Sequence, residues 1–117
     1  MHELSIGREI LETAVHHAEG RPVLLVSVTI GALRQVVPDS LQFNFAILAR
    51  GTVCEGARLQ ARLVPARLRC ECGHEWELHE LSFLCPRCGG GRTSVLDGEQ
   101  LSVESIEVEE APCTARR

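Results

Sequence analysis

Apolar positions recur at helical spacing near the start of the chain, where Gly7, Ile10, Leu11, Ala14, Val15 and Ala18 form one stripe. Ser5 is placed to cap this helix, and Gly20 followed by Pro22 to end it. The next run, Val23 to Ile30, is rich in β-branched residues and alternates at its end, which predicts a strand. A second helix is expected after "VPDS". Asp39 with Gln42 three residues on has capping-box form, Leu41, Phe45 and Leu48 share a face, and Gly51 stops it.

Alternation returns from Arg58 to Val64, with Leu59, Ala61 and Leu63 on one side and Arg58, Gln60 and Arg62 on the other, predicting a half-buried strand. A last strand runs Leu101 to Val108 with an acidic outer face (Glu104, Glu107, Glu109). Its apolar positions change parity between Val103 and Ile106, so a bulge or bend is expected near Glu104-Ser105.

The order is helix, strand, helix, strand, cysteine-rich segment, strand. The economical packing is an α+β fold, a small sheet with two helices on one face, to which the last strand returns. The cysteine-rich segment is then an inserted zinc-ribbon-like module. On this reading residues 1–67 with 96–110 form a discontinuous α+β domain, 68–95 the module and 111–117 a flexible tail.

Composition narrows the function classes. Apolar residues at 44% and charged residues at 24% are those of a folded globular protein. There is no run of eighteen apolar residues and no basic-then-apolar leader, so a cytoplasmic protein without a membrane segment is expected. The net charge is −4, every basic residue other than histidine is arginine, and the arginines are scattered, which gives no electrostatic footprint for nucleic acid. No nucleophile–base constellation marks an enzyme.

Residues 70–89 read "CECGHEWELHELSFLCPRCG". Cys85-Pro86-Arg87-Cys88-Gly89 has the form of a metal knuckle, in which two sulfurs face one point and backbone N–H groups offset their charge. Its partner pair is Cys70 and Cys72, with Glu71 alone between them. Four thiolates suit Zn²⁺ in a closed, structural site. The short first spacer leaves an alternative open, that His74 or His79 supplies the fourth ligand. A module of this size cannot bury enough apolar area alone, whereas zinc binding of about 10–16 kcal/mol would fold it. Cys54 reads as a core-edge residue and Cys113 as part of the tail.

The chain opens Met1-His2-Glu3. The His2 imidazole, its own amide nitrogen and the Met1 amine lie one chelate ring apart in turn, and the Glu3 amide adds a further nitrogen. Such in-plane nitrogens favour Ni²⁺ or Cu²⁺. From these residues alone, a solvated terminus is the competing reading.

The opening "MHELSIGREILETA", followed by "VTIGALRQVVPDSLQFNFAILARGTVCEGARL" and a four-cysteine module, resembles the HypA/HybF family of hydrogenase-maturation nickel metallochaperones. The resemblance covers Met1 to about Glu109. It implies nickel bound at the N-terminus through His2, with the backbone of Met1 and Glu3, and a structural zinc held by Cys70, Cys72, Cys85 and Cys88. Cys85 and Cys88 match the family's CxxC pattern, and Cys70 and Cys72 match it with one residue missing. The implied partners are a HypB-type GTPase and the large-subunit precursor of a nickel–iron hydrogenase, with no nucleic acid and no membrane, from a monomer or weak homodimer. His16 and His17 are candidates for auxiliary nickel ligands, and Glu9 for partner contact. The rival readings are a nucleic-acid-binding zinc ribbon and a zinc-folded structural adaptor.

Overall fold

The computed structural model describes residues 2–79 and 82–109. Helix α1 spans His2–Ala18 and buries the stripe Ile6, Gly7, Ile10, Leu11, Ala14 and Ala18. Glu3 in its first turn and His16 and His17 in its last complement the helix dipole. The helix begins at His2, so Ser5 lies inside it and does not cap it. Glu19 and Gly20 then take left-handed φ values of 52° and 83°, which unwinds the chain ahead of Pro22.

Strand β1 is Val23–Gly31, and a 3-10 turn follows at Ala32–Arg34. Helix α2 is Pro38–Leu48, with Pro38 in the first turn and Val37 at the cap position. Proline is suited there because its missing N–H has no partner to lose. The expected Asp39–Gln42 capping box does not form, since Asp39 already lies within the helix. Gln42 instead reaches sideways, and its Oε1 accepts the Leu59 N–H at 3.0 Å.

Strand β2 is Arg58–Val64, and three short strands follow: β3 (Arg67–Cys70), β4 (Glu75–Glu77) and β5 (Thr93–Asp97). Strand β6 is Leu101–Val108. One sheet has the order β2-β1-β6, so the last strand does return to the first sheet; a second has the order β4-β3-β5. The predicted alternation of β2 slips at its end, where Leu63 is exposed and Val64 half-buried. In β6 the burial pattern skips between Val103 and Ile106, as its parity change implied.

The chain divides into two compact units. The first comprises Met1–Val28, Val36–Arg62 and Ser102–Arg117. In it α1 packs on α2 where Gly7 lets the helices approach, since a Cβ there would touch Leu48 Cδ1 at 3.4 Å. Ile10, Val26, Leu41 and Phe45 form its core, and Cys54 is fully buried in the loop after α2. The second comprises Thr29–Gln35 and Leu63–Leu101. In it β3 pairs antiparallel with β4, placing Leu68 opposite Trp76, and with β5, placing Leu68 opposite Val95. The loop 98–100 lies along the end of β1: Gly31 N–H donates to Gln100 O at 2.8 Å and Leu33 N–H to Gly98 O at 2.9 Å.

Candidate metal centres

The four cysteines converge. Cys70 ends β3, its N–H donates to His74 O at 2.8 Å, and Gly73 N–H returns to Cys70 O at 2.8 Å. Gly73 takes φ +96°, which closes a hairpin loop of three residues, Glu71 to Gly73. This turn is how a one-residue spacer still carries both sulfurs to one side. The second knuckle closes the same way: Gly89, at φ +75°, donates to Cys85 O at 2.8 Å, and Cys85 N–H donates to Gly90 O at 2.9 Å.

The ligand atoms of Cys70, Cys72, Cys85 and Cys88 all lie within 4.8 Å of one another. Cys70 Sγ is 3.5 Å from Cys88 Sγ, and Cys72 Sγ is 3.8 Å from Cys85 Sγ. A tetrahedron with metal–sulfur bonds of about 2.3 Å has sulfur–sulfur edges of about 3.8 Å. The cluster therefore has the dimensions of one tetrahedral thiolate site, with every position filled by protein. Cys70 and Cys85 are buried, while Cys72 and Cys88 are exposed.

Backbone donors surround the sulfurs unevenly. Cys85 Sγ accepts from Arg87 N–H at 3.3 Å and Cys88 N–H at 3.5 Å, Cys88 Sγ from Gly90 N–H at 3.3 Å, and Cys70 Sγ from Cys72 N–H at 3.4 Å. The effect on acidity follows. At Cys70 the Cys72 N–H favours the thiolate, but burial and the sulfurs of Cys88, Cys72 and Cys85 outweigh it, pushing the thiol up to about 12. At Cys85 burial opposes ionisation, yet the N–H groups of Cys88 and Arg87 and the neighbouring thiols win, bringing it down to about 7. A cation at the centre removes the mutual repulsion that keeps the remaining protons in place.

The two histidines of the module stand elsewhere. The His74 ring stacks on Trp76, with centroids 5.7 Å apart and planes 9° from parallel, and His79 Nε2 lies 3.9 Å from a Glu77 oxygen. Among the described residues, the one group of metal-competent side chains that gathers is the four cysteines.

At the other candidate site, His2 is the first residue of α1 and its side chain is 49% exposed. Its amide and that of Glu3 belong to the first helical turn. Glu3 is buried, at 7% exposure. Its Oε2 accepts the Val37 N–H at 3.1 Å and lies 3.2 Å from His2 Nε2. The Val37 N–H is the main reason the Glu3 carboxyl sits below its usual value; burial opposes this, and its own N–H and the positive charges of His2 and the terminus assist.

Sequence reasoning missed this carboxylate clamp. The available signal was a helix beginning at Pro38 behind two valines, none of which can cap it, so its first N–H needed an acceptor from elsewhere.

His16 and His17 lie on the last turn of α1, their ring centroids 5.2 Å apart. The helical rise puts them about 20 Å from His2, which excludes them from a site at His2 in this conformation. Glu9 is exposed on α1. Met1, Cys113 and the tail 111–117 lie outside the described residues. Among the described residues, no helix is long and apolar enough to cross a membrane.

Comparison with known proteins gives the family of the chain. The family profile described as "Hydrogenase/urease nickel incorporation, metallochaperone, hypA" matches residues 1–108. A hydrogenase maturation factor HypA of Desulfitobacterium hafniense is 43% identical over 114 residues, covering 94% of this chain and 100% of that protein. That of Geobacter metallireducens is 43% identical over 110 residues, covering 93% and 100%. The solution structure of the nickel metallochaperone HypA from Helicobacter pylori superposes with a TM-score of 0.63 at 20% identity, covering 91% of this chain and 96% of that one. That likeness shows a shared fold. The profile and the relatives decide the family, one of metal carriers and not of enzymes: this chain belongs to the HypA family.

Proposed function

We propose that this protein binds Ni²⁺ at its N-terminus and delivers it to the large-subunit precursor of a nickel–iron hydrogenase in the cytoplasm, with Zn²⁺ as a resident structural ion. The observation that carries the reading is the family match over residues 1–108, which spans both the His2-Glu3 start and the four cysteines. The nickel ligands are the His2 imidazole, the Met1 amine and the backbone nitrogens of His2 and Glu3. Nitrogen donors of this kind suit Ni²⁺. Exposure of the His2 ring supports exchange, since an acceptor can approach the cargo directly. Protons compete for every one of these nitrogens, so nickel is held at neutral pH and shed in acid.

Zinc is held by Cys70, Cys72, Cys85 and Cys88. It supplies no reaction; it folds a short β-sheet that lacks apolar mass of its own. All four cysteines fall in the second compact unit, Thr29–Gln35 with Leu63–Leu101, which supports a zinc-binding part of the chain separate from the nickel-binding part, with wider bounds than 68–95. Because affinity alone ranks Cu²⁺ above Ni²⁺, specificity is assigned to partners: a HypB-type GTPase at loading and the hydrogenase precursor at delivery.

Handover tests this reading. Nickel-loaded protein, mixed with nickel-free hydrogenase precursor and a competing chelator, should transfer nickel and permit maturation. The His2→Ala protein should transfer none. Equal transfer from both would remove the N-terminus from the pathway.

A further inference from the structure

We infer that the Glu3 side chain is a positioning residue for His2: its carboxylate, anchored by the Val37 N–H, holds ring Nε2 and so turns Nδ1 to the metal. The inference deepens the nickel reading above and rests on it for its functional meaning.

Chelate geometry supplies the first step. A metal bound to the His2 amide nitrogen closes a six-membered ring through Cα, Cβ, Cγ and Nδ1. Reaching Nε2 instead would need a larger ring across a rigid imidazole whose Nε2 points away. Nδ1 is therefore the nitrogen that can join the terminal site, and it must be unprotonated to do so. The proton of the neutral ring then belongs on Nε2, and a carboxylate oxygen stands there at 3.2 Å. A carboxylate this close to the second nitrogen of a ligating histidine favours the tautomer that carries its proton on that side, and a hydrogen bond closed between them would fix the ring's orientation.

The second step concerns the anchor. The oxygen that faces His2, Oε2, is also the one that accepts the Val37 N–H at 3.1 Å. Val37 precedes α2 and supplies no side-chain cap of its own, so Glu3 both satisfies this helix start and is fixed by it. Its burial keeps water from competing for that oxygen. A mobile surface glutamate would bias the ring weakly; this one is tied to a second helix.

The test uses untagged, zinc-loaded protein. Long-range ¹H–¹⁵N NMR of the nickel-free protein reads the His2 tautomer, and titration with nickel chloride reads affinity. Wild type should show Nε2–H. Glu3→Ala should lose that preference and bind nickel at least about tenfold more weakly, within the range known for such outer carboxylates. Glu3→Gln, which keeps an acceptor oxygen, should recover part of both. Val37→Pro, which removes the anchoring N–H and leaves Glu3 in place, should fall between. An Nδ1–H ring in wild type would overturn the inference, as would Glu3→Ala with unchanged tautomer and affinity. Should Glu3→Ala fail to fold, the wild-type tautomer and Glu3→Gln still decide it. A wild type that binds no nickel, or a His2→Ala protein that binds it equally, would strike the nickel reading; the tautomer, measured without nickel, would still judge the clamp.

Discussion

The carbonyl oxygen of Gly98 lies 2.0 Å from the place a Cβ on Gly31 would occupy. The two glycines meet where the loop 98–100 crosses the end of β1, and Gly98, at φ +112°, is itself pressed against Ala66, its own would-be Cβ 2.6 Å from the Ala66 Cα. Backbone meets backbone here, so a larger residue has no flexible side chain to push aside.

Gly31→Ala should therefore destabilise the protein by about 3 kcal/mol, at the upper end of overpacking effects. Gly20→Ala is the contrast: nothing lies within 4 Å, and only its φ of +83° resists a side chain, which costs about 1–2 kcal/mol. Thermal or urea unfolding of the two variants should rank them in that order.

The two phenylalanines of α2 should behave as opposites. Phe45 is fully buried and Phe43 is 65% exposed. Phe45→Ala should cost about 3–5 kcal/mol, and Phe43→Ala should stay within about 0.5 kcal/mol of wild type. Urea midpoints for the pair measure this directly.

Removal of the proposed zinc should unfold the second sheet selectively. Chelation, or Cys85→Ser, should abolish amide-exchange protection in β3, β4 and β5, since metal binding of about 10–16 kcal/mol underlies such modules. Cys113→Ser should retain one zinc per chain by metal analysis. Protection that persists in the metal-free protein would contradict the folding role.

Glu3 should make a pH-dependent contribution of defined sign. Its folded-state pKa lies below the ordinary 4.5. The unfolded chain thus takes up the proton first as pH falls, and the folded state loses the advantage of the ionised group. The stability gap between wild type and Glu3→Gln should be full above about pH 4.5 and shrink as pH drops through the lower folded value. Urea unfolding of both proteins from neutral pH downward reads the difference, with acid effects on the cysteine site common to the two.

What was legible in the sequence follows element length. Helices α1 and α2 and strands β1, β2 and β6 each run seven residues or more and show their period. Strands β3, β4 and β5 have four, three and five residues, too few for alternation to register. The cysteine cluster was legible because ligand spacing is a local signal, and Gly73 after Cys72 explains how the shortened pair still converges. The start of α2 was misread: Asp39 and Gln42 have capping-box spacing, but Pro38 had already begun the helix. Its true acceptor, Glu3, is thirty-four residues away in sequence, and no local pattern encodes that contact.

The central claim, that His2 forms the nickel site, is tested most directly by calorimetric titration of untagged, zinc-replete protein with Ni²⁺ beside His2→Ala, with metal analysis confirming equal zinc in both. The account predicts one Ni²⁺ bound in the micromolar range or tighter by wild type and its loss in His2→Ala with zinc intact. Equal binding by both proteins, or binding by neither, would contradict it.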